Sequence, residues 1–397
     1  MRGWQPHRLG DLLTVQNGFA FDSKAFGPEG VPLIRIRDLK EGTTTDAKYS
    51  GPFEDKYMVQ RGDLLIGMDG EFGCFEWKGE PALLNQRVCR LQGFSERLNP
   101  RFLYYGINAY LKAIEAVTSY TTVKHLSSKQ VLDINMPVPP LAEQRRIVAL
   151  LDEAFEAIAT AKANTEKNLL NARNVFESKL YESLANRKDW PMKTLREVSV
   201  DFGRGKSKHR PRNDPKLYGG PYPFIQTGDV RGADHLITEY SQTYSEAGLA
   251  QSKLWPKGTL CITIAANIAE TGVLNFDACF PDSVIGVVVD PRQTSSKYLE
   301  YMLHTMKAYL KAKGKGSAQD NINLATFENE RFPFPDLDTQ AQAVALLDQL
   351  AVEVQRMEQL CEVKLTALDE LKQSLLHQAF TGQLTPKSAD RQLAEAA

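Results

Sequence analysis

The chain repeats itself, because segments of its first half recur in its second half in the same order. MPVPPLAEQRRIVALLDE, which begins at Met136, matches FPFPDLDTQAQAVALLDQ, which begins at Phe332, 196 residues later. NPRFLYYGI from Asn99 matches SSKYLEYML from Ser295 at the same separation, and segments nearer the start match at separations of 186 and 191. A repeat of this length predicts two similar domains. The 397 residues are enough to give each domain a core of its own.

Each copy begins with a globular part of mixed α and β character. Short β-branched segments bounded by Gly, Pro or Asp predict strands. They are VPLIRI, DLLIGM and RVCRL in the first copy and PFIQT, TLCITIA and SVIGVVV in the second. PRFLYYGINAYLKAIEAV and KYLEYMLHTMKAYLKAK space their apolar residues at three and four, which predicts one helix before the last loop of each copy. The predicted fold class is therefore α+β, with small sheets in two similar domains.

After the Pro-x-Pro turn, each copy continues into a long stretch with helical periodicity. From Glu143 to about Asn186, small or apolar residues recur at three or four positions, without Pro or Gly. In the second copy, apolar residues from Leu347 to Leu375, Met357 among them, recur at a mean spacing of 3.5, the coiled-coil period. About 40 residues make a rod of roughly 60 Å. Because the first rod leads directly into the second copy, we expect the two helices to be antiparallel and to hold two heads apart, related by an approximate twofold axis.

These patterns divide the chain into five segments. Residues 1–140 and 190–336 are predicted to form the two globular domains, and residues 141–189 and 337–383 the two long helices. Residues 384–397 contain a proline and little apolar periodicity, which predicts a disordered tail.

The charged residues are unevenly distributed along the chain. The formal net charge is −1, and the acid is concentrated after residue 337. The segment DFGRGKSKHRPRNDPK, near the start of the second copy, is cationic and contains only Asp201 and Asp214 as acids. Cationic side chains in a loop with Gly and Pro suit DNA phosphates, although an ordinary solvated loop gives the same pattern. The candidate DNA contacts in this segment are Arg204, Lys206, Lys208, Arg210 and Arg212.

Two polar loops occupy equivalent positions before the long helices. They are SYTTVKHLSS in the first copy and KGKGSAQDNIN in the second. Hydroxyl, amide and cationic groups suit both phosphate contacts and hydrogen bonds to base edges. The alternative is that residues such as Ser127 only cap turns or helices. The candidate DNA contacts here are Thr121, Thr122, Lys124, His125, Lys315, Ser317, Gln319 and Asn321.

Two further groups of candidates accompany apolar segments. Arg35 and Arg37 alternate with apolar residues, so we expect them on one face of a strand. Asn85, Gln86 and Arg87 directly follow another apolar segment. Either group could reach base edges, and either could equally be a polar group on the wet face of a sheet.

Over its whole length the chain resembles the specificity subunits of type I restriction-modification systems. The likeness rests on the W-x-x-x-x-L-G-D start, the NGFAF stretch from Asn17, the TTVKHL loop from Thr121, the PVPPLAEQRRIVALLD turn and helix, and the KQSLLHQAFTGQL end of the second helix. The two copies differ at one point of this pattern. Of the Glu143-Gln144 pair, only the glutamine recurs, as Gln340.

The resemblance implies a non-catalytic reader of double-stranded DNA. Each globular part would be a target recognition domain for one half of a bipartite sequence. The helices would dock two methyltransferase subunits, with Glu143, Gln144 and Gln340 as partner contacts, and motor-nuclease restriction subunits would join that core. S-adenosylmethionine, ATP and magnesium would belong to those partners, with no site on this chain. The alternative is a free-standing two-headed DNA-binding adaptor or a structural scaffold.

The sequence patterns do not predict catalysis, a metal site or a membrane segment. The five cysteines are scattered without a Cys-x-x-Cys pair, which predicts buried thiols rather than zinc ligands or disulfides. No apolar run reaches about 18 residues and the start lacks a signal-peptide core, so we expect a cytoplasmic protein. Asn99-Pro100-Arg101-Phe102 lacks the second proline of an amino-methyltransferase motif. Asp336 and Glu362 are separated by a predicted helix of roughly 39 Å, too far to share a metal ion.

Overall fold

The protein folds as two compact units. Unit 1 is built from two separate parts of the sequence, and unit 2 from one continuous part. Unit 1 comprises Met1–Glu166 together with Glu362–Ala397, and unit 2 comprises Lys167–Cys361. The unit boundaries fall within the two long helices rather than at their ends, because each half-helix packs on the core of one unit. The computed structural model describes residues 4–118, 124–184, 189–209, 211–265, 269–314, 324–384 and 393.

Unit 1 consists of two small sheets, a strand pair and helices. In the four-stranded sheet the strand order is β2-β10-β7-β8, in the five-stranded sheet it is β3-β5-β4-β9-β6, and β1 pairs with β11. The elements are β1 (Gln5–Arg8), β2 (Thr14–Asn17), β3 (Phe26–Gly27), β4 (Val31–Ile34), β5 (Lys48–Tyr49), β6 (Met58–Val59), β7 (Leu64–Gly67), β8 (Gly73–Glu76), β9 (Ala82–Leu84), β10 (Val88–Gln92), α1 (Pro100–Val117), α2 (Ser128–Leu132), β11 (Asn135–Val138) and the first part of α3 (Leu141–Leu184).

Unit 2 has the same kinds of element. Its five-stranded sheet has the order β13-β19-β17-β18-β15, and β12 pairs with β20 and β14 with β16. The elements are the remainder of α3, β12 (Met192–Lys193), β13 (Ser199–Arg204), β14 (Tyr218–Phe224), α4 (Thr227–Gly232), β15 (Leu236–Ile237), β16 (Gln242–Tyr244), α5 (Glu246–Ala250), β17 (Leu260–Thr263), β18 (Thr271–Leu274), β19 (Val284–Val289), α6 (Ser296–Gly314), α7 (Leu324–Asn329), β20 (Phe332–Pro333) and the first part of α8 (Leu337–Thr381).

The predicted repeat is confirmed in the topology and in individual contacts. The order β10-β7-β8 in unit 1 corresponds to β19-β17-β18 in unit 2, and the β1–β11 pair corresponds to β12–β20. The Arg101 Nε atom lies 2.7 Å from Asp152 Oδ1, and the equivalent Lys297 Nζ atom lies 2.7 Å from Asp348 Oδ2. Both members of the second pair are 196 positions after those of the first. The α+β fold class predicted from the sequence therefore holds for both units.

Helix α1 shows why the helical predictions succeeded. The Asn99 side chain accepts hydrogen bonds from the backbone N–H groups of Arg101 and Phe102, and Pro100 occupies the first turn, where its missing N–H costs nothing. Phe102, Leu103, Ile107 and Leu111 then fall on one face and are buried in the core of unit 1.

The two long helices pack against each other within each unit, and they run antiparallel. In unit 1, Arg146 donates to the Leu384 carbonyl oxygen at 3.1 Å, while Lys162 lies 2.5 Å from Asp369. Residues further along α3 thus contact residues that come earlier in the sequence at the other helix. In unit 2 the Arg173 Nε atom donates to Glu358 at 2.7 Å. The core of unit 2 contains Leu180 and Leu184 of α3 with Leu347 of α8.

One residue of the predicted apolar seam, the line of apolar residues spaced by about 3.5 along the second long helix, is not buried. Met357 is 42% exposed. The neighbouring Glu358 is only partly exposed and holds the ion pair with Arg173, so a charged pair takes the place of an apolar layer at this turn. The 3.5-residue spacing is therefore not continuous along α8.

Two predicted strands end earlier than expected, for the same reason. The backbone N–H of Arg35 donates to Asp38 Oδ2 at 2.8 Å and starts a 3₁₀ turn at Ile36–Asp38. The backbone N–H of Gln226 donates to Asp229 Oδ2 at 2.7 Å and starts α4. In each case a carboxylate accepts the backbone N–H that would otherwise be available for pairing in a sheet. The prediction that Arg35 and Arg37 lie on one face of a strand is therefore wrong.

Several remaining predictions concern burial. All five cysteines are buried and free, as predicted. Leu384, which was assigned to a disordered tail, is 3% exposed in the core of unit 1, and Leu393 packs against the same core. The other tail residues lie outside the described residues. Within the described ranges, no helix is both long and apolar enough to cross a membrane, and no three His, Cys, Asp or Glu side chains are placed to bind a metal ion.

Candidate nucleic-acid interface

Three loops of unit 1 meet at one end of the four-stranded sheet. They comprise residues 68–70, between β7 and β8, residues 85–87, between β9 and β10, and residues 124–126; we call them the convergent loops. The Met68 N–H donates to the Arg87 carbonyl oxygen at 2.9 Å, and the Leu126 N–H donates to the Met68 carbonyl oxygen at 2.7 Å. These backbone bonds bring two separate groups of predicted DNA contacts together.

Asp69 joins two of those predicted residues. Its Oδ1 atom lies 2.6 Å from His125 Nδ1, and its Oδ2 atom accepts a hydrogen bond from the Arg87 guanidinium. Partial burial opposes the charge of Asp69, but the bonds from His125 and Arg87 outweigh it and hold the pKa of Asp69 below its ordinary value. The side chains of Arg87 and His125 are each 58% exposed. Polar atoms of both therefore face solvent.

Asn85, Lys124 and Ser127 of unit 1 serve the fold, whereas Gln86 stays at the surface. Asn85 is 9% exposed, and its side chain accepts the N–H of Gln86 at 2.9 Å, so the prediction that Asn85 reaches a base does not agree with its position. Gln86 is exposed in the same turn. The Lys124 ammonium is mostly buried, 3.4 Å from Glu115. Ser127 caps α2 in a reciprocal bond with Gln130, which confirms its structural alternative.

Asp282 binds two arginines of the cationic segment of unit 2 and neutralises one of them. Arg204 donates to the Asp282 backbone carbonyl oxygen at 2.6 Å, and Arg212 lies 3.0 Å from the Asp282 carboxylate. Asp282 is distant in sequence, so it was not counted against this segment. Lys206 and Lys208 are exposed, and no ion pair within the described residues involves them. Among the described cations of this segment, they are the two without a side-chain hydrogen bond or ion pair, so they remain available to a phosphate.

The backbone of the same segment is held by side chains that sequence reasoning missed. Gln251 Oε1 accepts the N–H of Lys208 at 2.6 Å and that of His209 at 3.0 Å. The Ser252 hydroxyl donates to the Lys206 carbonyl oxygen at 2.9 Å. No local pattern around Gln251 signals this role, because its partners lie more than 40 positions away. The two free lysines therefore project from a fixed backbone.

The remaining candidates divide into those outside this interface and those outside the described residues. Arg35 lies 3.8 Å from Asp38 and Arg37 is 69% exposed, and no described hydrogen bond or ion pair joins either to the convergent loops. The following predicted contacts lie outside the described residues: Thr121, Thr122, Arg210, Lys315, Ser317, Gln319 and Asn321.

The two predicted partner-contacting glutamines are buried instead. Gln144 is fully buried; it accepts the Asn99 N–H at 2.8 Å and donates to two backbone carbonyl oxygens, each at 2.8 Å. Gln340 is 2% exposed, accepts from the Thr294 hydroxyl at 2.8 Å and also donates to two carbonyl oxygens. Each clamps the proline turn to the start of α1 or α6. Because no polar atom is left for a partner, the prediction that they contact one does not agree with the structure.

Glu143 differs from the glutamines because it remains at the surface. Its carboxylate accepts two hydrogen bonds from Arg146, at 2.7 and 2.8 Å, and these bonds lower the pKa of Glu143 below its ordinary value. Its role as a partner contact stays a prediction.

The long helices also carry an apolar surface that the sequence analysis missed. In unit 2, several large apolar side chains of α3 and α8 are exposed by 42 to 62%. They lie outside the predicted seam, apart from Met357, and attention to the seam alone overlooked them. We call these exposed side chains together the helix surface of unit 2; they are Leu170, Val175, Tyr181, Leu346, Val352, Met357 and Leu360.

Comparisons with known proteins agree with the repeat. A family model described as the type I restriction modification DNA specificity domain matches residues 1–171 and again residues 187–364. The specificity subunit of the type I restriction enzyme EcoBI from Escherichia coli is 30% identical over 411 residues, which cover 96% of this chain and 86% of that protein. The specificity subunit of the MjaVIII enzyme from Methanocaldococcus jannaschii is 23% identical, over 97% of this chain and 94% of that protein.

Two solved structures share the fold. One comes from a study of complex assembly and conformational transition of the type I R-M system; it has a TM-score of 0.73 and 21% identity, over 97% of this chain and 99% of that one. The other is the crystal structure of the HsdS subunit from Thermoanaerobacter tengcongensis, with a TM-score of 0.62 and 20% identity, over 97% and 98% of the two chains.

Proposed function

The chain belongs to the type I restriction modification DNA specificity family, and from this membership we propose that each of its units recognises one half of a bipartite double-stranded DNA target. The protein is the non-catalytic, sequence-recognising subunit of a restriction-modification complex. The observation that carries the proposal is that one strand framework occurs twice in the chain, with different polar side chains at equivalent loops. Two frameworks with different side chains suit two different half-sites.

In unit 1 the recognition surface is formed by the convergent loops. Arg87 and His125 expose polar atoms on two adjoining loops, and Gln86 is exposed beside Arg87. Arg pairs with the acceptor edge of guanine and Gln with adenine, so these side chains have the chemistry of direct readout. Exposed polar groups held on bonded loops support base contacts here more than phosphate contacts.

In unit 2 the cationic segment contacts the DNA backbone. Lys206 and Lys208 are exposed, carry their charges on a fixed loop and can each neutralise a phosphate. Such contacts fix the register of the domain on DNA but do not distinguish bases. The base contacts of this unit are then left to segments such as residues 315–321, whose composition is suitable.

The helices serve assembly. Methyltransferase subunits cover the helix surface of unit 2, and restriction subunits join the resulting complex. S-adenosylmethionine, ATP and magnesium are bound by those partners, and the complex works on DNA in the cytoplasm. Family membership argues against a free-standing adaptor.

Sequencing of modified bases tests the proposed function. Host DNA is compared between cells that contain the complete system and cells that lack only this chain. We expect one bipartite methylated motif to disappear with the chain. Unchanged methylation would contradict the proposal, as would methyl transfer by the rigorously purified chain alone.

A further inference from the structure

We propose that Asp69 is a positioning residue for sequence recognition, and that it acts by holding Arg87 and His125 in one fixed orientation towards DNA. The inference rests on the proposed function of the convergent loops. Asp69 was not among the residues that the sequence indicated, because its two partners are 18 and 56 positions away.

The geometry assigns one carboxylate oxygen to each partner. Oδ1 lies 2.6 Å from His125 Nδ1, and Oδ2 accepts from Arg87 Nη1. Asp69 is 13% exposed, whereas both partners are 58% exposed. The carboxylate is thus held mostly inside the fold while the groups that it binds face outwards.

The backbone determines where the carboxylate lies. Residue 68 is bonded to both neighbouring loops, through the Arg87 carbonyl oxygen at 2.9 Å and the Leu126 N–H at 2.7 Å, and the Gly70 N–H donates to the Lys124 carbonyl oxygen at 3.1 Å. Arg87 has a φ of 73°, in the left-handed region that costs a non-glycine residue about 1 kcal/mol or more. Such a conformation persists only where its surroundings impose it.

The bonds also determine which polar atoms are offered to DNA. In a neutral imidazole, a carboxylate at Nδ1 favours the tautomer that carries the proton there, which leaves His125 Nε2 as an acceptor on its exposed side. Nε2 can then accept from an amino group of cytosine or adenine, while the remaining N–H groups of Arg87 can donate to guanine. Without the carboxylate, both side chains could rotate and bond to other base edges.

Unit 2 has the same backbone framework, but its sequence lacks the carboxylate and its two partners. The Ile264 N–H donates to the Ser283 carbonyl oxygen at 3.0 Å, which repeats the Met68–Arg87 bond 196 positions later. The counterparts of Asp69, Arg87 and His125 in the sequence are Ala265, Ser283 and Asn321. Removing the carboxylate should therefore affect only the half-site of unit 1.

The test compares Asp69→Asn with Glu71→Gln in the full chain, assembled with its partner subunits. Glu71 lies two residues away and pairs with Lys40 at 2.7 Å, so its variant removes one negative charge from the same turn without touching Arg87 or His125. The motif methylated in host genomic DNA is determined for each. For Asp69→Asn we expect discrimination at one or two bases of one half-site to fall by about tenfold. The other half-site and the spacer stay unchanged, and Glu71→Gln keeps the full motif.

A second measurement reports on the positioning itself, without DNA. ¹⁵N NMR of the His125 ring, at a pH well above the ordinary imidazole pKa of about 6.5, shows which nitrogen carries the proton. In the unaltered chain we expect the proton on Nδ1, and in Asp69→Asn a shift towards Nε2. If Asp69 does not orient the His125 ring, the tautomer is the same in Asp69→Asn and in the unaltered chain.

An unchanged motif or an unchanged tautomer in Asp69→Asn would overturn the proposal. If Asp69→Asn abolishes methylation, the double variant Arg87→Ala with His125→Ala decides the matter. Equal loss in the double variant supports positioning, whereas a retained motif shows that Asp69 acts only on stability. If the unaltered complex methylates no motif that depends on this chain, the proposed function fails and the role of Asp69 is judged by the NMR measurement.

Discussion

The convergent loops of unit 1 and the cationic segment of unit 2 are held in place by different means. In unit 1, backbone bonds join three loops and a carboxylate fixes two exposed cationic or polar side chains. In unit 2, Gln251 and Ser252 fix a backbone and leave two lysine side chains free to move. The first arrangement suits the directional bonds of base recognition, and the second suits phosphates, which demand charge more than geometry.

The difference shows how one framework can support two half-sites. The parts that coincide in the two units are backbone bonds, the Pro-turn glutamines and the ion pair between the α1 or α6 helix and the long helix. The parts that differ are side chains at loop ends. Equivalent changes at the shared parts should therefore have similar effects in the two units, whereas a change at a loop should affect only the unit that contains it.

The largest effect is expected at the shared glutamines. Gln144→Ala and Gln340→Ala each leave buried backbone groups without a partner, so each should lower the free energy of unfolding by about 3 kcal/mol. Urea unfolding measures this change. The control is Glu143→Ala, next to Gln144 but at the surface, which should cost less than about 1 kcal/mol. A large loss for one glutamine and none for the other would break the correspondence between the units.

The next effect concerns the free lysines of unit 2. Replacing Lys206 and Lys208 by Gln should reduce the slope of log affinity against log salt by about 1.8, or 0.9 for each phosphate contact. Binding of the complex to DNA is titrated over a range of salt concentrations. Lys216→Gln is the matched control, because Lys216 is already paired with Asp214 at 3.1 Å and its loss should change the slope little. Equal slopes in all variants would show that this segment is only a solvated loop.

The smallest effect concerns an ion pair that only unit 2 contains. His235 Nδ1 lies 2.9 Å from the buried carboxylate of Glu300, and this bond raises the pKa of His235 above its ordinary value. The sequence counterpart of Glu300 in unit 1 is Tyr104. The nearby His304 works in the opposite direction, since burial lowers its pKa.

The pH dependence follows from the sign of the His235 shift. A raised pKa contributes stability that is fully present below the unfolded value of about 6.5 and is lost as the pH rises through the folded value. The stability difference between the unaltered chain and His235→Asn should therefore shrink as the pH increases above about 6.5. Asn tolerates the φ of 61° at this position. Unfolding measured in urea at several pH values checks this, and a constant difference would contradict it.

Much of the fold could be predicted from the sequence because it depends on local signals. Helix α1 matched its predicted bounds because Asn99 caps it and its apolar residues share one face. The long helices and the repeat depend on periodicity and on matching segments. Strand ends near Arg35 and Gln226 were missed because single capping bonds decide them.

The candidate site was predicted less well because it depends on contacts between distant residues. Arg87 and His125 were named separately, but the carboxylate that joins them gives no local signal. Asp282 neutralises Arg212 from 70 positions away, and Gln144 is buried by the same kind of long-range packing. Residue type indicated the chemistry of these groups, whereas their availability depended on the fold.

A domain exchange is the sharpest test of whether each unit recognises its own half-site. Residues 190–336 are replaced by the corresponding residues of the EcoBI specificity subunit, and the motif methylated by the assembled complex is sequenced. We expect one half of the motif to become that of EcoBI, while the other half stays as it was. A motif in which both halves change, or in which neither changes, would contradict it.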